Sequence, residues 1–287
     1  MKPKELTRRS PAHASFSVSK HILPRFLNVW HYHEELELVY IKKSTGTIFV
    51  GDSIKTFQPG DLILIGSQLP HLLLNDDKYF KGNTLDAEAW VIHFNLSCLG
   101  TQFFHLPEMA KIDRVLEASK VGLKINGQHK SKIVKAVSNM MNEDGFERVL
   151  RLLTILGWIA DEPKKETLAS LSFIDSYANV PGSKLDTIYE YIFNNFKDNI
   201  HLGQVAELAN MNPSSFSRYF KQVTNKTFTT FLNEVRIGFA CKLILEQRKM
   251  NIAEIGFESG YNNLSNFNKQ FKNVTGMTPT EYLQVHP

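Results

Sequence analysis

Residues 252–282 read IAEIGFESGYNNLSNFNKQFKNVTGMTPTEY, and this stretch decides the fold of the last third of the chain. Two short amphipathic segments flank a turn, which is the pattern of a helix-turn-helix. Gly256 supplies the small residue that lets a second helix pass close to the first. The Asn-Asn pair at 262–263 offers N-caps for the second helix, and Gly276 suits its left-handed end. Residues 278–281, TPTE, form a predicted capping box that opens one more helix.

The same pattern occurs earlier in the chain, so the tail contains an internal repeat. The positions that match at a displacement of 51 are Phe216, Phe220, Thr224, Asn225, Thr227, Phe231 and Leu232, which recur as Phe267, Phe271, Thr275, Gly276, Thr278, Tyr282 and Leu283. Those that match at 50 are Leu202, Val205, Ala206 and Ala209, which recur as Ile252, Ile255, Gly256 and Ser259. The difference of one residue falls in the turn, where an insertion is best tolerated. The repeat predicts helix-turn-helix units over 202–224 and 252–275, joined by a single helix over Thr227–Leu245.

The second helix of each unit is a predicted DNA-reading element. Its apolar stripe, predicted to be core, consists of Phe216, Phe220 and Val223 in the first unit and Phe267, Phe271 and Val274 in the second. The candidate DNA-binding residues are Ser214, Ser215, Ser217, Arg218 and Lys221, then Asn262, Asn263, Ser265, Asn266, Lys269 and Lys272. Hydroxyl, amide and basic side chains suit base edges and phosphates. A plain helical bundle with a solvated polar face is the alternative. The presence of two copies, whose outward faces are basic and carry no acidic residue, favours DNA binding.

Bulk properties fit a DNA-binding protein without requiring one. The 287 residues are enough for two domains, and the formal net charge is +4. Cys98 and Cys241 stand far apart in no metal-binding or redox spacing, which fits a reducing cytosol. No apolar run is long enough to span a bilayer, and the charged start MKPKELTRRSP lacks the apolar stretch of a secretory signal. We therefore expect a cytoplasmic protein without a membrane partner.

The first part of the chain predicts a β barrel or sandwich followed by a helical hairpin. Runs such as LELVYI, TIFVG, DLILIG and AWVIHF lie between 29 and 94 and are separated by turn-forming residues. Amphipathic helices are predicted over 107–119 and 130–160, the latter broken near Asp144-Gly145. Residues that could either form a dimer seam or cover the barrel are Met140, Met141, Leu152, Leu153 and Leu156. The predicted boundaries are a sensor and dimerisation domain over 1–160, a linker over 161–183 and a DNA-binding domain over 184–287.

Residues 184–287 resemble the DNA-binding domain of the AraC/XylS family of bacterial transcription regulators. The matching positions are Ile252, Ile255, Gly256, Gly260-Tyr261, Phe267, Phe271, Lys272, Gly276, Thr278-Pro279 and Tyr282. Two positions depart from the family pattern: Gly256 stands where Ala is usual, and Lys269 where Arg is common. The resemblance implies an all-α domain of seven helices. It also implies a regulator without enzymatic activity that binds double-stranded DNA and responds to a small-molecule effector. Since most members of the family are activators, the resemblance further implies activation, contact with RNA polymerase and a homodimer.

The first domain resembles a cupin, a small double-stranded β-helix barrel that many regulators of this family carry as sensor. His31, His33 and Glu37 match HxHxxxE and share one strand face, while residues 59–61 (PGD), His71 and Asn75 match the second motif. The resemblance implies an effector pocket, and a sugar would suit its aromatic and imidazole side chains. The candidate effector-binding residues are His31, His33, Glu37, His71, Trp90 and His93, with Trp30 and Tyr40 as neighbours.

Four of these side chains also form a candidate metal site. His31, His33, Glu37 and His71 could hold a divalent transition metal through imidazole nitrogens and a carboxylate. The rival hypothesis is therefore a metal-binding cupin, either a metal sensor or an enzyme, fused to a DNA-binding domain. The regulator hypothesis requires no cofactor, and paired histidines on a strand can simply line a polar pocket.

Overall fold

The computed structural model describes residues 4–6, 14–27, 29–76, 79, 86–178, 184–246 and 250–285. The contacts divide the chain into two units. One unit holds most of residues 4–174, and the other holds residues 175–287 together with the short segment 54–56. Within the described residues, no helix combines the length and the apolar composition that crossing a membrane requires.

The first unit, called here the sheet unit, is built on two sheets that are antiparallel except for one short parallel pair. Their strands are β1 Lys4–Glu5, β2 Phe16–Leu23, β3 His31–Tyr32, β4 Leu36–Lys43, β5 Gly46–Val50, β6 Ser53–Phe57, β7 Leu62–Ile65, β8 His71–Asn75, β9 Ala87–Phe94, β10 Leu123–Ile125 and β11 Lys165–Thr167. The strand orders are β1-β3-β8-β5-β6 and β11-β10-β7-β4-β9-β2. The four predicted runs are confirmed as β4, β5, β7 and β9. Strand β2 lies outside the predicted range, and only its first residue, Phe16, is fully buried.

Alternation along β4 and β9 separates two cores. On one face, Leu36 and Leu38 of β4 pack with Ile92 and Phe94 of β9 beneath the helices. The side chains between them, such as Val39, face the space between the two sheets. The same register pairs Glu37 of β4 with His93 of β9, so a polar pair lies on the inner face.

Helices cover the outer face of the larger sheet. They are α1 Ala110–Ala118, α2 Lys130–Met140 and α3 Gly145–Asp161, with the predicted break between α2 and α3 confirmed. Of the residues left open between a dimer seam and a cover, Met140, Leu152 and Leu156 are fully buried in this core, and Met141 and Leu153 pack against it. These five side chains therefore cover the sheet.

The segment suggested as a linker, 161–183, contains regular structure. Strand β11 pairs with β10, and helix α4 spans Leu171–Ala178. Just before α4, the backbone N–H and hydroxyl of Ser170 donate to the Asp52 carboxylate at 2.8 and 2.7 Å. The charged and small residues of this segment form a short edge strand and a capped helix; residues 179–183 lie outside the described residues.

The second unit, called here the helical unit, follows the predicted repeat. Its helices are α5 Lys184–Asn195, α6 Leu202–Leu208, α7 Pro213–Thr224, α8 Phe228–Glu246, α9 Ile252–Glu258, α10 Leu264–Thr275 and α11 Pro279–Val285. Helices α6 and α9 are displaced by 50 and α7 and α10 by 51, which confirms that the extra residue lies in the second turn. The predicted single joining helix is confirmed as α8.

The ends of the repeated helices are set by the expected side chains. Asn212 and Asn263 cap α7 and α10 by accepting hydrogen bonds from the third residue of each helix, and Asn225 and Gly276 end them in left-handed backbone. Before α11, the Thr278 N–H donates to the Glu281 carboxylate at 2.7 Å, and the Glu281 N–H donates to the Thr278 hydroxyl at 3.3 Å.

One predicted core residue of the helical unit is exposed. Val223 is 1% exposed, but its counterpart Val274 is 42% exposed, so the prediction that Val274 belongs to the core was wrong. The two copies are followed by different helices, because α8 has 19 residues and α11 only 7. The two valines are equivalent in the repeat but differ in burial.

Candidate DNA interface and sensor cavity

Helix α7 presents one polar face to solvent. Its other face is anchored by Phe216, Phe220 and Val223, which are 0–1% exposed. Of the candidate DNA-binding residues, Ser214, Ser217, Arg218 and Lys221 are exposed, and Ser215 is half-buried beside the cap of the helix. The Ser217 hydroxyl donates to the Pro213 carbonyl at 2.9 Å, which leaves its lone pairs available to accept. Within the described residues, Arg218 and Lys221 form no hydrogen bond or ion pair.

Helix α10 repeats this arrangement with different side chains. Phe267 and Phe271 are fully buried. The candidates Asn262, Asn263, Ser265, Asn266, Lys269 and Lys272 are all exposed. The Asn263 carbonyl oxygen is occupied by the N–H of Asn266 at 3.1 Å, so only its amide group is free to donate outward.

Two further side chains extend these faces and were missed in the sequence. Gln222 and Asn273 are exposed and lie one turn beyond Arg218 and Lys269. They occupy equivalent positions of the repeat, 51 residues apart, so the displacement itself was the signal that could have found them. Neither α7 nor α10 contains an acidic residue. Both faces are therefore suited to an anionic partner.

The inner face of the sheet unit holds a buried polar cluster. The candidate ligand atoms of His31, His33, Glu37 and His71 all lie within 4.8 Å of one another, and all four residues are buried. The pairing of β3 with β8 sets His31 opposite His71. The pairing of β4 with β9 adds His93, so five of the six predicted effector-binding residues lie together.

Backbone carbonyls fix the histidine tautomers. The Nδ1–H groups of His31, His33 and His71 donate to the carbonyls of Val29, Glu35 and Leu69, each at 2.8 Å. Since a carbonyl only accepts, Nδ1 carries a proton in each ring. Nε2 of each ring points into the cluster, where it has no hydrogen-bond partner in His31 and His71 and contacts the Glu37 carboxylate in His33. Burial lowers the pKa of His31 to about 3, so this ring is neutral at physiological pH.

The Glu37 carboxylate is the centre of the cluster. Its Oε2 atom accepts hydrogen bonds from Nε2 of His33 and Nε2 of His93, each at 3.0 Å. Burial by itself raises the pKa of Glu37, but the charge of His93 and the hydrogen bonds from His33 and His93 outweigh it. They hold the pKa of Glu37 well below its usual value, so the carboxylate is ionised.

The donor set fits a divalent transition metal. The buried Nε2 atoms of His31 and His71 have no hydrogen-bond partner, and an uncompensated buried polar atom is costly. Imidazoles held by carbonyl groups and a carboxylate are the ligands that such metals bind. His31, His33, Glu37 and His71 would hold the ion.

A cavity of about 240 Å³ lies beside the cluster. It is lined by His21, Leu23, Phe26, Leu27, His31, Glu37, Val39, His71, Leu73, Ala89 and Val91. Most of these walls are apolar, and His31, Glu37 and His71 supply a polar region. Trp90 does not line the cavity: on β9 it points to the opposite face, 5.3 Å from the Tyr40 ring, and its Nε1–H donates to Glu88 at 3.1 Å.

The other residues of the predicted second motif make local structural contacts. Gly60 has φ +94, and its N–H donates to the Ile41 carbonyl. The Asp61 carboxylate accepts from the N–H of Gln58 and from the ammonium group of Lys124. The Asn75 side chain accepts from the Phe26 N–H at 2.6 Å and so fixes one wall of the cavity.

Comparison with known proteins identifies the helical unit. A family model described as a helix-turn-helix domain matches residues 205–284. The HTH-type transcriptional regulator YdeC of Bacillus subtilis, named as uncharacterized, is 21% identical over 99% of this chain and 96% of its own length. The HTH-type transcriptional activator RhaR of Mannheimia succiniciproducens is 24% identical over 88% of this chain and 86% of its own. The bifunctional transcriptional activator/DNA repair enzyme AdaA of Bacillus subtilis is 31% identical over 35% of this chain, and the match spans 47% of AdaA.

Two solved structures are also similar to this chain. The C-terminal domain of AraT, a response regulator from Geobacillus stearothermophilus, is 29% identical over 37% of this chain and 86% of that chain, with a TM-score of 0.34. ToxT from Vibrio cholerae is 15% identical over 95% of this chain and 99% of that chain, with a TM-score of 0.38. The family model assigns residues 205–284 to a helix-turn-helix domain, and the two relatives above that match along most of this chain are named as an HTH-type transcriptional regulator and an HTH-type transcriptional activator.

Removing one basic side chain from either polar face should weaken DNA binding. We expect Arg218→Ala and Lys269→Ala each to cost about 1–3 kcal/mol of binding free energy if the side chain reads a base, or to lower the salt dependence by about one phosphate contact otherwise. Lys269→Arg should retain or increase affinity, because arginine adds a bidentate donor pair. Affinities are measured by fluorescence anisotropy at several salt concentrations.

The matched control is Lys111→Ala, which removes one positive charge from the sheet unit, where Lys111 is 71% exposed and pairs with Asp161. Wild-type affinity in both Arg218→Ala and Lys269→Ala would remove these two residues from the interface.

Proposed function

We propose that this regulator reads DNA in a sequence-specific manner through α7 and α10, which enter two adjacent segments of the major groove. The observation that carries the proposal is the repeat: two capped helices, each with a buried phenylalanine pair and an acid-free polar face. Helix α8 packs against α7 and also against α9, α10 and α11. A rigid joint of this kind suits two contacts about one DNA turn, ~34 Å, apart.

We propose further that a small molecule in the cavity of the sheet unit controls DNA binding. The support is a cavity of about 240 Å³ with mostly apolar walls and polar groups from one cluster. A ligand with an apolar body and one polar end matches these walls better than a sugar, whose hydroxyl groups would need polar partners on every side. Such a ligand can shift the regulator only by binding its DNA-competent and DNA-incompetent states with different affinity.

Activation, contact with RNA polymerase and homodimer formation are proposals that rest on the resemblance to the family. For a dimer, the structure offers two exposed apolar side chains on α3, Phe146 at 70% and Leu150 at 42% exposure. They lie four residues apart on one helix face. Of the residues first considered for this seam, Met140, Leu152 and Leu156 are fully buried, so a dimer would use exposed side chains such as Phe146 and Leu150.

A second candidate function is metal sensing through the cluster on the inner face. The observation that favours it is the pair of unpartnered, buried Nε2 atoms of His31 and His71 beside an ionised carboxylate. A bound divalent ion would satisfy both nitrogens and offset the charge of Glu37. Within this chain the histidine rings are already oriented by the carbonyls of Val29 and Leu69, so the site needs little reorganisation.

The full chain, used to select sequences from a random DNA pool, should enrich two short unlike elements about one helical turn apart. The logarithm of affinity for the selected site should fall linearly with the logarithm of salt concentration, because bound phosphates release counterions. A fragment of residues 184–287 should select the same elements if the proposed boundary is right. Enrichment of no sequence by either protein would contradict sequence-specific reading.

Filling the cavity should abolish ligand binding without affecting DNA contacts. Val91 lines the cavity and Trp90 faces the opposite side of the same strand, so Val91→Phe and Trp90→Phe form a matched pair. For any ligand found by thermal shift in a panel of apolar acids, apolar amines and monosaccharides, we expect the shift to vanish in Val91→Phe and to persist in Trp90→Phe. A shift that survives in Val91→Phe would place the ligand elsewhere.

The metal hypothesis makes a separate prediction. Protein purified without added metal should contain about one divalent transition metal ion per chain by elemental analysis, since the four-residue site holds a single ion. The double variant His31→Ala/His33→Ala should lose the ion and its thermal stabilisation. His105→Ala, which removes an exposed histidine paired with Asp113, is the control. Wild-type protein with no metal, and with no thermal shift upon adding Zn²⁺ or Mn²⁺, would dismiss the metal site.

A further inference from the structure

A junction inside the helical unit connects the second helix-turn-helix to the loop that precedes the first. The junction consists of Arg236 and Asn233 on α8, the loop 196–198 between α5 and α6, and the turn residues Gly260 and Tyr261 between α9 and α10. Helix α8 supplies the covalent connection between the two helix-turn-helix units. The junction adds a lateral connection between segments that are about 60 residues apart in sequence.

Arg236 binds the loop that precedes the first helix-turn-helix through its guanidinium group. Its Nε–H donates to the Phe196 carbonyl at 2.7 Å, and its Nη2–H donates to the Asp198 carbonyl at 2.8 Å. These two carbonyls lie a few residues before α6 begins at Leu202. The planar guanidinium group presents its donors in fixed directions, one to each of the two oxygens.

The same arginine contacts the turn of the second helix-turn-helix. The guanidinium carbon lies 5.6 Å from the centre of the Tyr261 ring. Tyr261 is 2% exposed, and its hydroxyl donates to the Asn233 side chain at 2.9 Å. Burial lowers the pKa of Arg236 and raises that of Tyr261, so both groups sit in a partly desolvated site where their contacts are little screened by salt.

Gly260 allows the turn to come this close. A Cβ atom at this position would lie 2.8 Å from the Phe196 oxygen, 2.9 Å from the Lys197 oxygen and 3.0 Å from Nε of Arg236. The backbone φ of Gly260 is +84, which other residues rarely adopt. The close approach of turn and loop therefore depends on a residue without a side chain.

From this geometry we infer that Arg236 is a positioning residue that fixes the distance and rotation between α7 and α10, and so sets the spacing between the two DNA elements that the protein accepts. The inference rests on the proposed two-helix reading of DNA. Arg236 is half-buried beneath the loop and is not one of the exposed residues of α7 or α10. Its effect on DNA therefore operates through the relative placement of the two helices.

The first test needs no DNA. Spin labels at Gln222→Cys and Asn273→Cys, which are exposed and equivalent in the repeat, report the distance between α7 and α10 when Cys98 is replaced by serine. The wild-type background should give one narrow distance distribution, and adding Arg236→Gln should broaden it. Gly260→Ala should broaden the distribution as well, because the added Cβ atom would push the turn away from the loop at 196–198. An unchanged narrow distribution in both variants would overturn the inference.

The second test measures spacing selectivity of the full chain on its selected site. Probes carry the two elements at native spacing, with one base pair inserted between them, or with the second element scrambled. Wild-type protein should lose at least about tenfold in affinity on the inserted probe, which corresponds to about 1.4 kcal/mol. In Arg236→Gln the ratio between native and inserted probes should fall to about two, while affinity for the scrambled probe stays at the wild-type value.

Lys226→Gln is the matched control, because it also removes one positive charge and breaks a contact of α8, the 2.8 Å ion pair with Glu234. It should keep the wild-type ratio. If Arg236→Gln keeps that ratio too, or loses affinity equally for all three probes, Arg236 does not set the spacing. If wild-type protein selects no site at all, the proposed two-helix reading fails, and the distance measurement alone still decides the role of the junction.

Discussion

The structure of the helical unit depends on two pairs of buried phenylalanines. Phe216 and Phe220 on α7, and Phe267 and Phe271 on α10, are all fully buried, and each pair is spaced by four residues. An aromatic pair at this spacing occupies one stripe of a helix and commits that stripe to the core. Rotating either helix about its axis would expose two phenylalanines to water, so the polar residues of the opposite stripe are held outward. The orientation of the reading faces is thus a consequence of core packing.

The sheet unit uses a different periodicity for the same purpose. Alternation along β4 sends Leu36 and Leu38 to the core beneath the helices and Glu37 and Val39 to the space between the sheets. A shift of one residue in register would exchange the two sets, burying the carboxylate among aliphatic side chains. Because both faces of this sheet are covered, the register is strongly specified. The cavity and its polar cluster inherit their position from that register.

Much of this arrangement follows from patterns that can be counted in the sequence, and the differences arise where a long-range contact decides. The repeat at 50 and 51 residues predicts the helix-turn-helix units, their caps and the joining helix, since caps and periodicity are local. The exposure of Val274, whose counterpart Val223 is buried, depends on packing between helices, and no local pattern reports that. Trp90 was predicted to line the pocket because an aromatic face suits a sugar, but strand alternation places it on the other face. The lateral contact of Arg236 with the loop at 196–198 bridges 40 residues, and nothing in the sequence near Arg236 indicates it.

The polar faces of α7 and α10 are chemically unequal, and if both read DNA as proposed, this inequality gives the protein a direction on the duplex. Helix α7 carries serines, an arginine and a lysine, whereas α10 carries asparagines, a serine and two lysines. Duplicated readers that had stayed identical would bind a repeated sequence equally well in more than one register. Readers that have diverged within one chain match a site whose halves differ, so each molecule lies on the duplex in a single orientation. Every other surface of the protein then points consistently upstream or downstream, and a regulator needs such polarity if it is to act on one of two neighbouring promoters and leave the other alone.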